Sequence, residues 1–132
     1  MNPQKLYAID TGLLQAMSFR NADDRGAMLE NMVFMHLRRQ GIHPEYYLTP
    51  SGREVDFVIA GKARGLHLVQ VCWSLEDPKT RLRELRAIHE AKAQLKADSG
   101  TIVTWQDEGE TEGVRIVPAW RWLLETTNQE GR

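Results

Sequence analysis

Cysteine is nearly absent. The 132-residue chain carries one, Cys72, which excludes a disulfide within the chain and suits a reducing cytoplasm. A surplus of either charge is absent too: 17 Lys and Arg stand against 18 Asp and Glu, for a net charge of −1. No global field therefore pulls the protein toward nucleic acid or an anionic membrane, and any basic surface has to be local. No apolar run approaches the roughly 18 residues of a membrane-spanning helix. The first residues, MNPQKLYAID, lack the apolar core of a secretory leader. These absences lead us to expect a cytoplasmic protein with no membrane partner. The phosphate-cradling pattern GxxxxGK(S/T) is missing, so no ATPase domain is expected within this chain. Internal repeats and low-complexity tracts are missing as well. The four histidines show no metal-ligand spacing with one another or with Cys72.

What is present is an ordinary globular balance, 42% apolar and 27% charged, at a length that suits one domain with a real core. We expect a single domain over residues 1–126 and a polar tail over 127–132. Hydrophobic periodicity predicts a short strand at 5–9, then a helical turn carrying Leu13, Leu14 and Met17 with Asp10 as its cap. The clearest helix spans 27–40 and stops at Gly41. Its apolar residues run round most of the circumference, which predicts burial on more than one side, with Asn31 and Arg38 marking the wetter side. Strands are predicted at 45–49, 53–60 and 66–73. Asp77-Pro78 opens a second long helix whose inner stripe is Leu82, Leu85, Ile88, His89 and Leu95. Strands at 100–105 and 114–117 follow. A last helix begins at Pro118, where Trp120 and Trp122 cannot both face one side. The order β, α, α, β, β, β, α, β, β, α predicts a mixed α/β layer fold with helices on a central sheet.

One stretch, SGREVDFVIAGKARGLHLVQVCWSL, carries the candidate chemistry. A five-residue turn at 61–65 sets antiparallel partners whose numbers sum to 126. Asp56 then lies opposite Gln70 and Glu54 opposite Cys72, all four on one face, with Val55, Phe57 and Ile59 on the other. Glu30 points along an apolar face of the preceding helix. Carboxylates converging from a helix and a sheet suit a hard divalent cation such as Mg²⁺ or Mn²⁺, which activates water against a phosphodiester. Equally, alternating polar residues on a strand form an ordinary solvent face, and a buried glutamate is often paired with an arginine. A second candidate is the stripe Lys79, Arg83 and Arg86, which helical spacing places together, away from Leu82, Leu85 and Ile88. It suits phosphate contacts or a plain solvated face, and Glu76, Glu84 and Glu90 dilute its field.

Five blocks in order, KLYAIDTGLL, GAMLENMVFMHLRRQG, SGREVDFVI, LVQVCWSLEDPKTRLREL and IVPAWRWLL, resemble the C-terminal domain of unknown function attached to many prokaryotic P-loop AAA-type ATPases. That family is similar in core layout to the PD-(D/E)XK nuclease superfamily. The resemblance implies a restriction-endonuclease-like mixed central sheet flanked by helices. It implies an accessory role beside an ATPase domain of the same or a partner chain; a homo-oligomer is the further partner expected if the domain is purely structural. It aligns Glu30 with the helix acid, Asp56 with the strand acid and Gln70-Val71-Cys72 with the E-x-K step, so that Glu30, Asp56 and Gln70 would be the metal ligands and Cys72 would stand at the lysine. Gln70 brings no charge, and a cysteine is a soft ligand that cannot replace the cation. The expectation is therefore a degenerate nuclease site in a module that binds nucleic acid or a protein partner. The alternatives are a slow metal-dependent phosphodiesterase and a purely structural docking domain.

Overall fold

The computed structural model describes residues 22–61 and 65–130. The strand expected at 5–9, the helical turn after it, and Lys62 and Arg64 lie outside the described residues. The elements are α1 (Ala22–Arg39), β1 (Glu45–Leu48), β2 (Glu54–Ala60), β3 (Leu66–Val71), α2 (Pro78–Leu95), β4 (Ser99–Thr104), β5 (Gly109–Thr111), β6 (Val114–Pro118) and α3 (Ala119–Glu130). The strands form one mixed sheet in the order β1-β2-β3-β4-β6-β5. The first three are an antiparallel meander. β3, β4 and β6 run parallel, which requires the α2 crossover between β3 and β4. β5 is a short antiparallel edge on β6.

The central strands are apolar on both faces, as strands covered by helices on each side must be. Val69, Val103 and Val117 point to the side of α1 and α3, where they meet Leu29, Val33, Leu37 and Trp122. Leu68, Ile102 and Ile116 point to the other side, where they meet Leu85, Ile88 and Ala91 of α2. α2 packs so closely that a Cβ on Gly100 would lie 2.8 Å from Ile88 Cγ2. Only glycine lets the helix reach the sheet there. α1 and α3 are tied together by His36 Nε2 and Thr126 Oγ1 at 2.6 Å and by Gln40 Nε2 donating to the Thr126 carbonyl.

The helix ends follow local chemistry. Gly41, at φ +79°, closes α1, with the Ile42 N–H returning to the Leu37 carbonyl. Asp77 caps α2 through the Thr80 N–H, and Pro78 takes the first position. Trp122 is buried and Trp120 exposed, as their two-residue spacing requires.

Four expectations change. α1 begins at Ala22, five residues early, with Asp24 in the first turn where the helix dipole favours an acid. Asn31, expected on the wet side, is buried, with neither amide atom hydrogen-bonded among the described residues. Leu82, expected in the inner stripe of α2, is exposed; Ala87 and Ala91 are buried beside Leu85 and Ile88. α3 continues to Glu130, past the point where the polar tail was expected to start, with Thr127 Oγ1 bonding back to the Leu123 carbonyl.

Candidate functional site

The expected register holds where the ladder is regular: Phe57 opposes Val69, Val58 Leu68, Ile59 His67 and Ala60 Leu66. It breaks at the next step. Against β1, the two steps from Glu45 to Tyr47 face the three from Val58 to Val55, a bulge in β2. The bulge interrupts the alternation. Phe57 and Ile59 join the α1/α3 cluster, but Val55 joins the α2 cluster with Leu68. The expectation that Val55 shares a face with Phe57 and Ile59 is corrected accordingly.

Where the backbone ladder ends, side chains replace it. The Asp56 N–H donates to Gln70 Oε1 at 2.8 Å, and Gln70 Nε2 donates to the Glu54 carbonyl at 2.9 Å. In the opposite direction, the Val71 N–H donates to Asp56 Oδ2 at 2.8 Å. Gln70, only 4% exposed, therefore bridges two parting strands with both ends of its amide. Asp56 and Gln70 come together as the spacing predicts, with backbone groups as their partners. Cys72 is elsewhere employed: its N–H bonds to the Val103 carbonyl and its Sγ donates to the Ser74 carbonyl. Burial, and then the negative charge of Glu84, push its thiol up to about 11, so it is neutral at pH 7.

Beside this clasp lies a cavity of about 380 Å³ lined by Arg53, Glu54, Asp56, Gln70, Arg83 and Glu84 among others. Glu84 was read from sequence only as a diluting charge. It is mostly buried, and its carboxyl is held above the ordinary range by burial; Arg83 at 3.5 Å and a hydrogen bond from Gln70 oppose that rise, and the charge of Glu30 adds to it. The signal was present in the sequence, since Glu84 adjoins Leu85 and stands four residues before Ile88, on the flank of the buried stripe. Glu30 itself is half-buried on α1, close enough for Glu84 to feel it. Of the basic stripe, Lys79, Arg83 and Arg86 are all exposed, and Arg83 alone lines the cavity.

The far wall is the turn at 49–53. Thr49 N–H bonds to the Arg53 carbonyl, and Gly52 sits at φ +90°. Glu90 of α2 holds the turn by accepting from the Ser51 hydroxyl at 2.5 Å and the Ser51 N–H at 3.2 Å, with Arg53 at 3.4 Å. These bonds, the Ser51 hydroxyl first, hold the Glu90 carboxyl below its usual range.

Among the described residues no three His, Cys, Asp or Glu side chains gather as a metal-ligand group. Asp56 Oδ2 and both ends of the Gln70 amide are engaged by backbone groups. Among the described residues no helix is long and apolar enough to cross a membrane.

Residues 25–122 match the family described as Domain of unknown function (DUF4143). The chain is also 35% identical over 133 residues to an uncharacterized protein of Methanocaldococcus jannaschii, an alignment that covers 91% of this chain and 29% of that relative. The chain thus spans under a third of the length of the relative it matches. No solved structure matches it.

Proposed function

The chain belongs to the DUF4143 domain family, and from that premise we propose that it is a nuclease-like accessory module of a longer, AAA-type ATPase protein, silent in cleavage and active in binding nucleic acid. The greater length of the archaeal relative supports the accessory role. The antiparallel meander leading through a crossover helix into parallel strands supports a restriction-endonuclease-like reading of the fold.

The observation that carries the silence is the clasp. Asp56 and Gln70 hold β2 to β3 through backbone hydrogen bonds, and the group at the lysine position is a neutral thiol. The lysine position therefore offers no cation to stabilise charge on a phosphate. Binding would fall to the exposed Lys79, Arg83 and Arg86.

The test is incubation of single- and double-stranded DNA with Mg²⁺ or Mn²⁺, beside Glu30→Ala and Asp56→Ala, with binding followed by anisotropy. The expected result is no cleavage, and binding that weakens with salt and loses part of its salt slope when Lys79, Arg83 and Arg86 become Ala. Absence of all nucleic-acid binding, with a mass that grows with concentration, would show a docking or self-associating domain instead. One feature favours a metal-dependent phosphodiesterase: Glu84 supplies from α2 the carboxylate that Gln70 lacks. Metal-dependent cleavage lost in Glu84→Gln and Asp56→Ala would establish that reading in place of ours.

A further inference from the structure

Three tryptophans stand at the carboxyl ends of three adjacent parallel strands. Trp73 lies two residues past β3, Trp105 directly after β4 and Trp120 two past β6. The strands are in register there, with Val71 opposite Val103 and Thr104 opposite Pro118. The carboxyl ends of parallel strands are where open α/β sheets receive ligands. Trp73 and Trp105 are already stacked, with ring centroids 4.8 Å apart and planes at 8°. The Trp105 N–H bonds to the Trp73 carbonyl, which fixes the pair. Arginines lie over the two outer members of the row: the Arg25 guanidinium is 5.5 Å from the Trp73 ring and that of Arg121 5.2 Å from the Trp120 ring. Trp105 is 41% and Trp120 59% exposed, so these indoles are not needed to close the core.

The turn carrying Trp105 is tied by hydrogen bonds. The Asp107 N–H donates to Thr104 Oγ1, which in turn donates to the Asp107 carbonyl, and Asp107 Oδ2 accepts the Leu75 N–H. The nearest acid beyond it, Glu108, is neutralised by Arg121 at 2.6 Å. Trp105 and Trp120 leave from the ends of the neighbouring strands β4 and β6, which lie about 4.8 Å apart. None of this belongs to the clasp, whose residues lie along β2, β3 and α2.

We propose that Trp105 and Trp120 form a stacking platform for the bases of single-stranded nucleic acid, with Arg25 supplying a positive charge at one end. The proposal rests on the nucleic-acid-binding reading above and names where an unpaired strand would lie. Every base offers a flat π face, so such a platform is tolerant of sequence and selects unpaired strands over duplex.

The test is titration of the 132-residue chain into fluorescein-labelled oligothymidylate at low salt, read by anisotropy and tryptophan emission. Wild type is expected to bind with quenching. Trp105→Ala and Trp120→Ala should each weaken binding about tenfold or more, while Trp105→Phe restores most of the loss. Duplex binding should change little. If wild type binds but both alanine variants bind equally well, the platform is wrong and the binding module stands. If wild type prefers duplex, the platform is wrong too. If it binds no nucleic acid, both readings fall. Capture of an arginine-rich peptide through Trp105, with no oligonucleotide bound, would overturn the platform in favour of a protein partner. The Trp120 variant keeps the test sound should Trp105→Ala disturb the stacked pair, because Trp120 is mostly in solvent.

Discussion

Replacing Gln70 by Leu asks whether the clasp is structural. The substitution keeps size and burial but removes both ends of the amide. It leaves the Asp56 N–H without Gln70 Oε1 and the Glu54 carbonyl without Gln70 Nε2. A stranded buried backbone donor costs about 1–3 kcal/mol. Glu54 is exposed, so water reaches its carbonyl and that loss should be about 0.5 kcal/mol, at the low end for a hydrogen bond. Burying leucine in place of an amide offsets roughly 0.5–1 kcal/mol. The net expectation is about 2 kcal/mol. A chain of this size unfolds with an entropy near 2.1 cal/mol/K per residue, so that loss lowers the melting temperature by about 7 °C. Urea denaturation and thermal melts at pH 7 measure both. The m-value should not change, because the exposed surface does not. Gln70→Leu within about 0.5 kcal/mol of wild type would refute the reasoning and leave Gln70 free for another task.

The remaining expectations concern titration. Glu84 is raised by burial in the folded state, so the native form holds its proton more tightly than the unfolded chain. Its contribution is intact at low pH and is lost as pH rises through the raised value, so Glu84→Gln should flatten that decline in a stability-versus-pH series. His67, bonded to Ser99 and Thr101, is lowered by burial. Stability from its neutral ring is complete above the ordinary 6.5 and falls as pH drops below it, a fall that His67→Asn should remove. Cys72, with its thiol near 11, should react with iodoacetamide at pH 8 far more slowly in the native protein than in urea; equal rates would contradict its burial beside Glu84.

The layers were legible because each depended on local periodicity. Gly41 and Asp77-Pro78 set helix ends, and the short apolar runs of β3 and β4 set strands, without help from distant residues. The Asp56–Gln70 pairing was legible through turn length alone. The bulge was not, because it is a mismatch between β1 and β2 and neither strand records it by itself. Asn31 misled for a related reason: an amide on a helix is read as wet, and its burial depends on what packs against α1. Glu84 and the Trp73–Trp105 stack required the crossover and the strand order, which bring residues from separate segments together. The three-residue strand β5 is too short for alternation to show.

The ladder between β2 and β3 is four residue pairs long before it hands over to Gln70. The sheet therefore has a seam. On one side lies a two-stranded margin of β1 and β2, of which β2 reaches the helices through Val55, Phe57 and Ile59; on the other lie the parallel strands, covered on both faces by helices. Amide hydrogen exchange should divide along that line, with the margin opening as a unit at lower free energy than the interior. A protein built this way can yield at one border while its parallel interior stays shut.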